Sequence, residues 1–72
     1  METLRDLRKQ SKKTLAEVAD VLGVSSAAIS FYENGRRQIS IHQVIPLANL
    51  YGVSAEEIIE AQTASIIVGK TE

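Results

Sequence analysis

At 72 residues the chain has room for one small domain with a thin core, and its 44% hydrophobic content excludes a disordered polypeptide. The absence of cysteine excludes disulfides, zinc–thiolate sites and a cysteine nucleophile, which fits a cytoplasmic protein, and no apolar run is long enough to span a bilayer or act as a secretory signal. The net charge of −1 hides an asymmetry: residues 1–37 carry seven basic against five acidic side chains, and residues 38–72 one against four, so any footprint for a polyanion lies in the first half.

Four of the five predicted helices are announced by a hydroxyl residue followed three positions later by an acid or amide. In such a capping box the hydroxyl accepts a free first-turn amide and the later side chain reaches back to the cap. The first helix spans 3–10, with Thr3 and Asp6 at its start and Leu4 and Leu7 facing inward. The second spans 15–22, capped by Thr14 with Glu17; Leu15, Val18, Ala19 and Leu22 fall at helical spacing on one face. Gly23 stops it, because glycine adopts the left-handed conformation without a Cβ penalty. The third spans 26–34, with Ser25 as its cap and an incomplete box, since Ala28 stands where an acid would be. Ile29 and Tyr32 anchor it, and Gly35 follows. The fourth spans 41–51, with Ser40 and Gln43 as its box, Val44, Leu47, Ala48 and Tyr51 inward, and Gly52 as its stop. Pro46 removes one helical bond inside it, so either the helix kinks or its first turn is separate. The fifth runs from Ala55 to about Gln62 behind Ser54 and Glu57, with Ile58 and Ile59 as core residues. Residues 1–62 thus form the domain. Residues 63–72 show no clear period and form a tail that packs on the body, pairs with another subunit or is disordered. No segment alternates long enough to be a strand.

The densest signal lies between Thr14 and Gly35. Two short helices are joined by a turn too tight for an antiparallel pair, Ala19 is small where they approach, Gly23 makes the turn and Val24 fills the corner. This is the recipe of a helix-turn-helix, whose second helix projects into a major groove. With about 100° of rotation per residue and Ile29 centred on the buried face, Ala27, Phe31 and Asn34 point away from the core, with Ser30 beside them and Ser26 on the flank.

The string Leu7-Arg8, Thr14-Leu15, Val18-Ala19, Leu22 to Ser25, Ile29-Ser30, Glu33 to Arg37, Leu47-Ala48 and Tyr51 to Ser54 resembles the Cro/C1-type (XRE family) helix-turn-helix domains of phage repressors and bacterial regulators. The resemblance covers about Leu4 to Ile59. It implies an all-α, compact, five-helix lambda-repressor-like domain with the helix-turn-helix in its second and third helices, and a homodimer on double-stranded operator DNA. By the same resemblance Ser26 and Ala27, followed by Ser30 and Phe31, stand where the family reads base edges. Serine can donate or accept there, while Ala27 and Phe31 can touch only apolar groups such as a thymine methyl; Phe31 could equally pack on a neighbouring loop or subunit. With no long amide or guanidinium at these four positions, DNA shape is expected to share in specificity.

Phosphate contacts are expected at Asn34, Arg36 and Arg37 behind the reading helix, at Lys13, and at the first-turn amides near Thr14 and Leu15, where the helix dipole favours an anion. The family commonly has glutamine where Leu15 stands, so only the amide contact carries over there. Arg8 and Glu33 are expected to form a partly buried structural salt bridge.

The sequence therefore reads as a DNA-binding transcriptional regulator, expected to repress as a homodimer through its fifth helix and tail. The competing reading is a helix-turn-helix protein-interaction module of antitoxin or adaptor type, with weak or no DNA binding. An enzyme is not supported: His42 is the single histidine, and no nucleophile, acid–base pair, metal-ligand spacing or nucleotide loop accompanies it. No catalytic residue, metal, cofactor, small-molecule ligand or membrane partner is expected.

Overall fold

A computed structural model describes residues 2–71. It contains five helices and, among the described residues, no strand: α1 Leu4–Gln10, α2 Leu15–Leu22, α3 Ser26–Glu33, α4 Ile41–Tyr51 and α5 Ala55–Thr71. The caps explain the starts. Thr3 with Asp6 and Thr14 with Glu17 form complete boxes. Ser25 Oγ accepts the Ala28 amide (3.1 Å), Gln43 Oε1 accepts the Ser40 amide (2.8 Å), and Ser54 Oγ accepts the Glu57 amide (3.1 Å). The cap amides of Thr3 and Thr14 hold the Asp6 and Glu17 carboxyls below the usual carboxylate range.

The helices close around one core that includes Leu4 and Leu7 of α1, Val18 and Ala19 of α2, Ile29 and Tyr32 of α3, Leu47 and Tyr51 of α4, and Ile58 of α5. Burying a side chain such as Ile58 completely is worth about 1.5–3 kcal/mol. Leu15 and Leu22 are half-buried against this core. Burial pushes the Tyr51 phenol up to about 12, and the nearby Glu33 carboxylate acts in the same direction.

Four details differ from the sequence reading or settle it. Helix α3 ends at Glu33, and Asn34 is its cap. Ile59 is 52% exposed and not in the core; Ile58 takes the inward position, which turns its neighbour outward by about 100°. Helix α4 is continuous through Pro46, so its first turn is not separate.

The fourth difference is the largest. Helix α5 does not stop at Gln62 but continues to Thr71. Ala61, Ala64 and Ser65 are buried along it, and the Ser65 hydroxyl accepts the Leu4 amide (3.0 Å) and donates to the Ala61 carbonyl (2.8 Å). The last turns lie against the loop after α3. A Cβ on Gly35 would stand 2.7 Å from Ile66 Cα, and one on Gly69 would stand 2.0 Å from the Asn34 carbonyl oxygen. Two glycines thus let two backbones touch, and residues 63–69 pack on the body.

Lys12, in the turn after α1, holds a left-handed φ of +57°. Its amide bonds the Lys9 carbonyl and the next amide bonds the Arg8 carbonyl, a helix end that normally uses glycine. Lys12→Gly is therefore expected to raise stability by about 0.5–1 kcal/mol, read as a higher urea midpoint with unchanged slope. A lower midpoint would show that the lysine side chain compensates for the strain.

Candidate nucleic-acid interface

Helices α2 and α3 meet at 104°, within the range of a helix-turn-helix. The corner is set by Gly23, whose φ of +68° closes α2, and by the Val24 amide bonding back to the Ala19 carbonyl (3.0 Å). Val18 and Ala19 are buried at the crossing. Helix α3 buries Ala28, Ile29, Tyr32 and Glu33 and turns Ser26, Ala27 and Phe31 outward, with Ser30 half-buried. These four are the predicted base-reading residues, and they lie together on one face of one helix.

The basic pair after α3 is tied to this face. The Arg36 and Arg37 amides both bond the Phe31 carbonyl (2.9 and 3.3 Å). The Arg37 guanidinium lies over the Phe31 ring, 5.5 Å from its centroid, in cation–π contact. Phe31 thus packs partly on its own loop while 37% of its surface stays exposed. Arg36 and Arg37 are exposed. At the start of α2, Thr14 is exposed and Leu15 half-buried. The Glu17 carboxylate bonds the Thr14 amide (2.9 Å), leaving the Leu15 and Ala16 amides as first-turn donors without a helical partner. Lys13 is half-buried, with its carbonyl accepting from Arg8 Nη1 (3.1 Å).

The ion pair beneath the interface has the expected partners. Arg8 grips Glu33 with both arms of its fork: Nε to Oε2 at 2.6 Å and Nη2 to Oε1 at 3.1 Å. The side chains are only 13% and 3% exposed. The carboxylate stabilises the guanidinium and raises its pKa.

Sequence reasoning missed Arg5. Its Nε lies 3.6 Å from Glu33 Oε1 and its Nη2 donates to Asn34 Oδ1 at 2.9 Å. The signal was available: Arg5 and Arg8 are three residues apart and share a helix face. Asn34, predicted to meet phosphate, is half-buried and also donates from Nδ2 to Ser30 Oγ at 3.4 Å.

A depression between α1 and α5 is bordered by Glu2, Glu57 and Glu60 around Leu7 and Ala61. Its carboxylates repel a polyanion. Among the described residues no group of His, Asp or Glu could hold a metal, and no single helix is long and apolar enough to cross a membrane.

A 104° helix pair with a free outer face and a basic edge defines a helix-turn-helix domain. A family profile described as helix-turn-helix matches residues 4–58, and the chain belongs to that family, of Cro/C1 type; the family is non-enzymatic. Similar proteins from Bacillus subtilis (strain 168) are the HTH-type transcriptional regulator AnsR, 30% identical over 82% of this chain and 51% of its own length, and the uncharacterized HTH-type transcriptional regulator YqaE, 32% identical over 86% and 53%. The chain thus spans about half the length of the curated relatives it matches. No solved structure matches it significantly.

Arg8→Ala should cost about 3 kcal/mol, because it leaves the Glu33 carboxylate buried with only Arg5 nearby. Urea unfolding measures this, and a loss below about 1 kcal/mol would show the pair to be dispensable.

Proposed function

We propose that this domain is a cytoplasmic, sequence-specific DNA-binding transcriptional regulator, acting as a repressor and homodimer on a palindromic operator. The observation that carries the reading is the exposed face of α3, with Ser26, Ala27, Ser30 and Phe31 brought together beside the tethered Arg36–Arg37 turn. The names of the relatives support the regulatory role.

In this reading α3 enters a major groove. Ser26 and Ser30 hydrogen-bond base edges, and Ala27 and Phe31 touch thymine methyl groups. Arg36 and Arg37 neutralise phosphates on one side, assisted by the remaining amide hydrogen of Asn34. The Leu15 amide and its capped start at Thr14, with Lys13 just before them, meet a phosphate on the other side. Because the reading side chains are short, phosphate contacts supply most of the affinity, and groove shape supplements direct readout. A two-fold dimer places its reading helices about 34 Å apart. The dimer contact is assigned to α5, along which Ile59 and Ile67 stay exposed.

DNA binding by the wild type and by Arg36→Ala/Arg37→Ala across a salt series tests the reading. The double variant should bind more weakly, with a log–log salt slope shallower by about two per subunit. Equal binding and equal slopes would remove both arginines from the interface. Tight capture of another protein through the Ser26–Phe31 face, with no DNA binding, would establish the interaction-module alternative instead.

A further inference from the structure

The reading face contains one polar group whose hydrogen-bond direction is fixed from behind. Arg5 Nη2 donates to Asn34 Oδ1 (2.9 Å), and a guanidinium has no acceptor. The amide of Asn34 is therefore not free to flip: its oxygen faces Arg5 and its NH2 faces the other way. That NH2 lies 3.4 Å from Ser30 Oγ, a long bond in which the serine oxygen accepts. The Ser30 hydroxyl hydrogen must then find another partner.

Serine and threonine inside helices often donate to the carbonyl four residues back. Thr63 does so to Ile59 (3.2 Å), and Ser65 does so to Ala61 (2.8 Å). The Ser30 hydroxyl makes no such bond; its oxygen accepts from Asn34 Nδ2, and its hydrogen has no acceptor among the described residues. Half-buried on the reading face, it keeps its O–H for whatever that face meets.

We infer that Arg5, acting through Asn34, sets Ser30 as a hydrogen-bond donor, so that this position selects a base edge that accepts. The inference rests on α3 reading a major groove. Guanine presents only acceptors there, N7 and O6, whereas cytosine presents the N4 amino donor. On the strand that Ser30 meets, guanine is favoured over cytosine, because an accepting edge takes the Ser30 O–H that has no acceptor within the protein, whereas pairing the remaining oxygen lone pair with the cytosine amino group leaves that hydrogen unpaired. Arg5 touches no base; it is a positioning residue.

The test is selection of bound duplexes from random DNA by the wild type, Ser30→Ala, Arg5→Gln and Asn34→Asp, each first shown to be helical and cooperatively folded. The carboxylate of Asn34→Asp still accepts from Arg5 but now also accepts the Ser30 hydroxyl hydrogen, which turns the serine oxygen outward as an acceptor. The wild-type motif should contain one position per half-site with guanine preferred over cytosine by about threefold to tenfold, the worth of one hydrogen bond. That preference should vanish in Ser30→Ala, weaken in Arg5→Gln and reverse towards cytosine in Asn34→Asp, with the other motif positions unchanged.

A wild-type motif that survives Ser30→Ala, or one that Arg5→Gln and Asn34→Asp leave unaltered, overturns the relay while leaving DNA binding intact. Failure of the wild type to select any duplex overturns the groove-reading role itself, and the relay with it. Should the added charge of Asn34→Asp abolish binding, Arg5→Gln still decides: unchanged guanine preference refutes the inference and loss at that single position supports it.

Discussion

The geometry of the interface depends on one buried ion pair. Glu33 ends α3, where the helix dipole is negative and an acidic side chain is poorly placed, and it is almost fully buried. It is tolerable there only because Arg8 meets it with a bidentate fork and Arg5 stands beside it. The same Arg8 guanidinium donates to the Lys13 carbonyl, one residue before the Thr14 cap of α2. One side chain of α1 therefore joins the end of the reading helix to the lead-in of the helix before it. These are the two places where backbone amides and basic side chains are assigned to phosphate. A pair like this contributes little net stability compared with apolar residues of the same shape; its value is that it fixes relative position.

That fixing matters because the side chains proposed to read bases are short. A long arginine or glutamine can adjust to a base edge across several ångströms. Serine and alanine cannot, so the backbone of α3 has to be placed closely by its surroundings. The surroundings are built for this. The amides of Arg36 and Arg37 share the Phe31 carbonyl, Arg37 covers the Phe31 ring, and α5 presses its glycine against the Asn34–Gly35 backbone. The loop that would grip phosphate is thereby held from both sides. Glu2, Glu57 and Glu60 gather instead around the α1–α5 depression, and the Arg36–Arg37 turn is a basic edge on a chain of net negative charge.

Much of this was legible in the sequence, and the reason is locality. Caps, glycine stops and helical spacing are decided within a few residues, so the starts of α2 to α5, the start of α1 to within one residue (Thr3 is its cap) and the corner at Gly23 could be read directly. The outward positions of Ser26, Ala27 and Phe31 followed from rotation about one anchored residue, Ile29. What could not be read depends on distant partners. Helix α5 continues past Gln62 because Ser65 finds the Leu4 amide and Gly69 lies against the Asn34 carbonyl, contacts 61 and 35 positions apart in the sequence and invisible to periodicity. Ile58 and Ile59 are equally apolar, and only the packed structure says which turns inward. Arg5 was missed because its partners, Glu33 and Asn34, lie 28 and 29 positions away in the sequence.

The outer face of α3 and the turn behind it are the surface proposed to meet DNA. The most direct measurement is nuclear magnetic resonance mapping of backbone amides during titration with a duplex carrying the selected site. The largest shifts are expected at Ser26, Ala27, Ser30 and Phe31, at the first turn of α2 and at Arg36 and Arg37, with the Glu57–Glu60 side of α5 unmoved by direct contact with DNA. Shifts concentrated on α4 and α5, with α3 and the Arg36–Arg37 turn unchanged, would contradict that assignment.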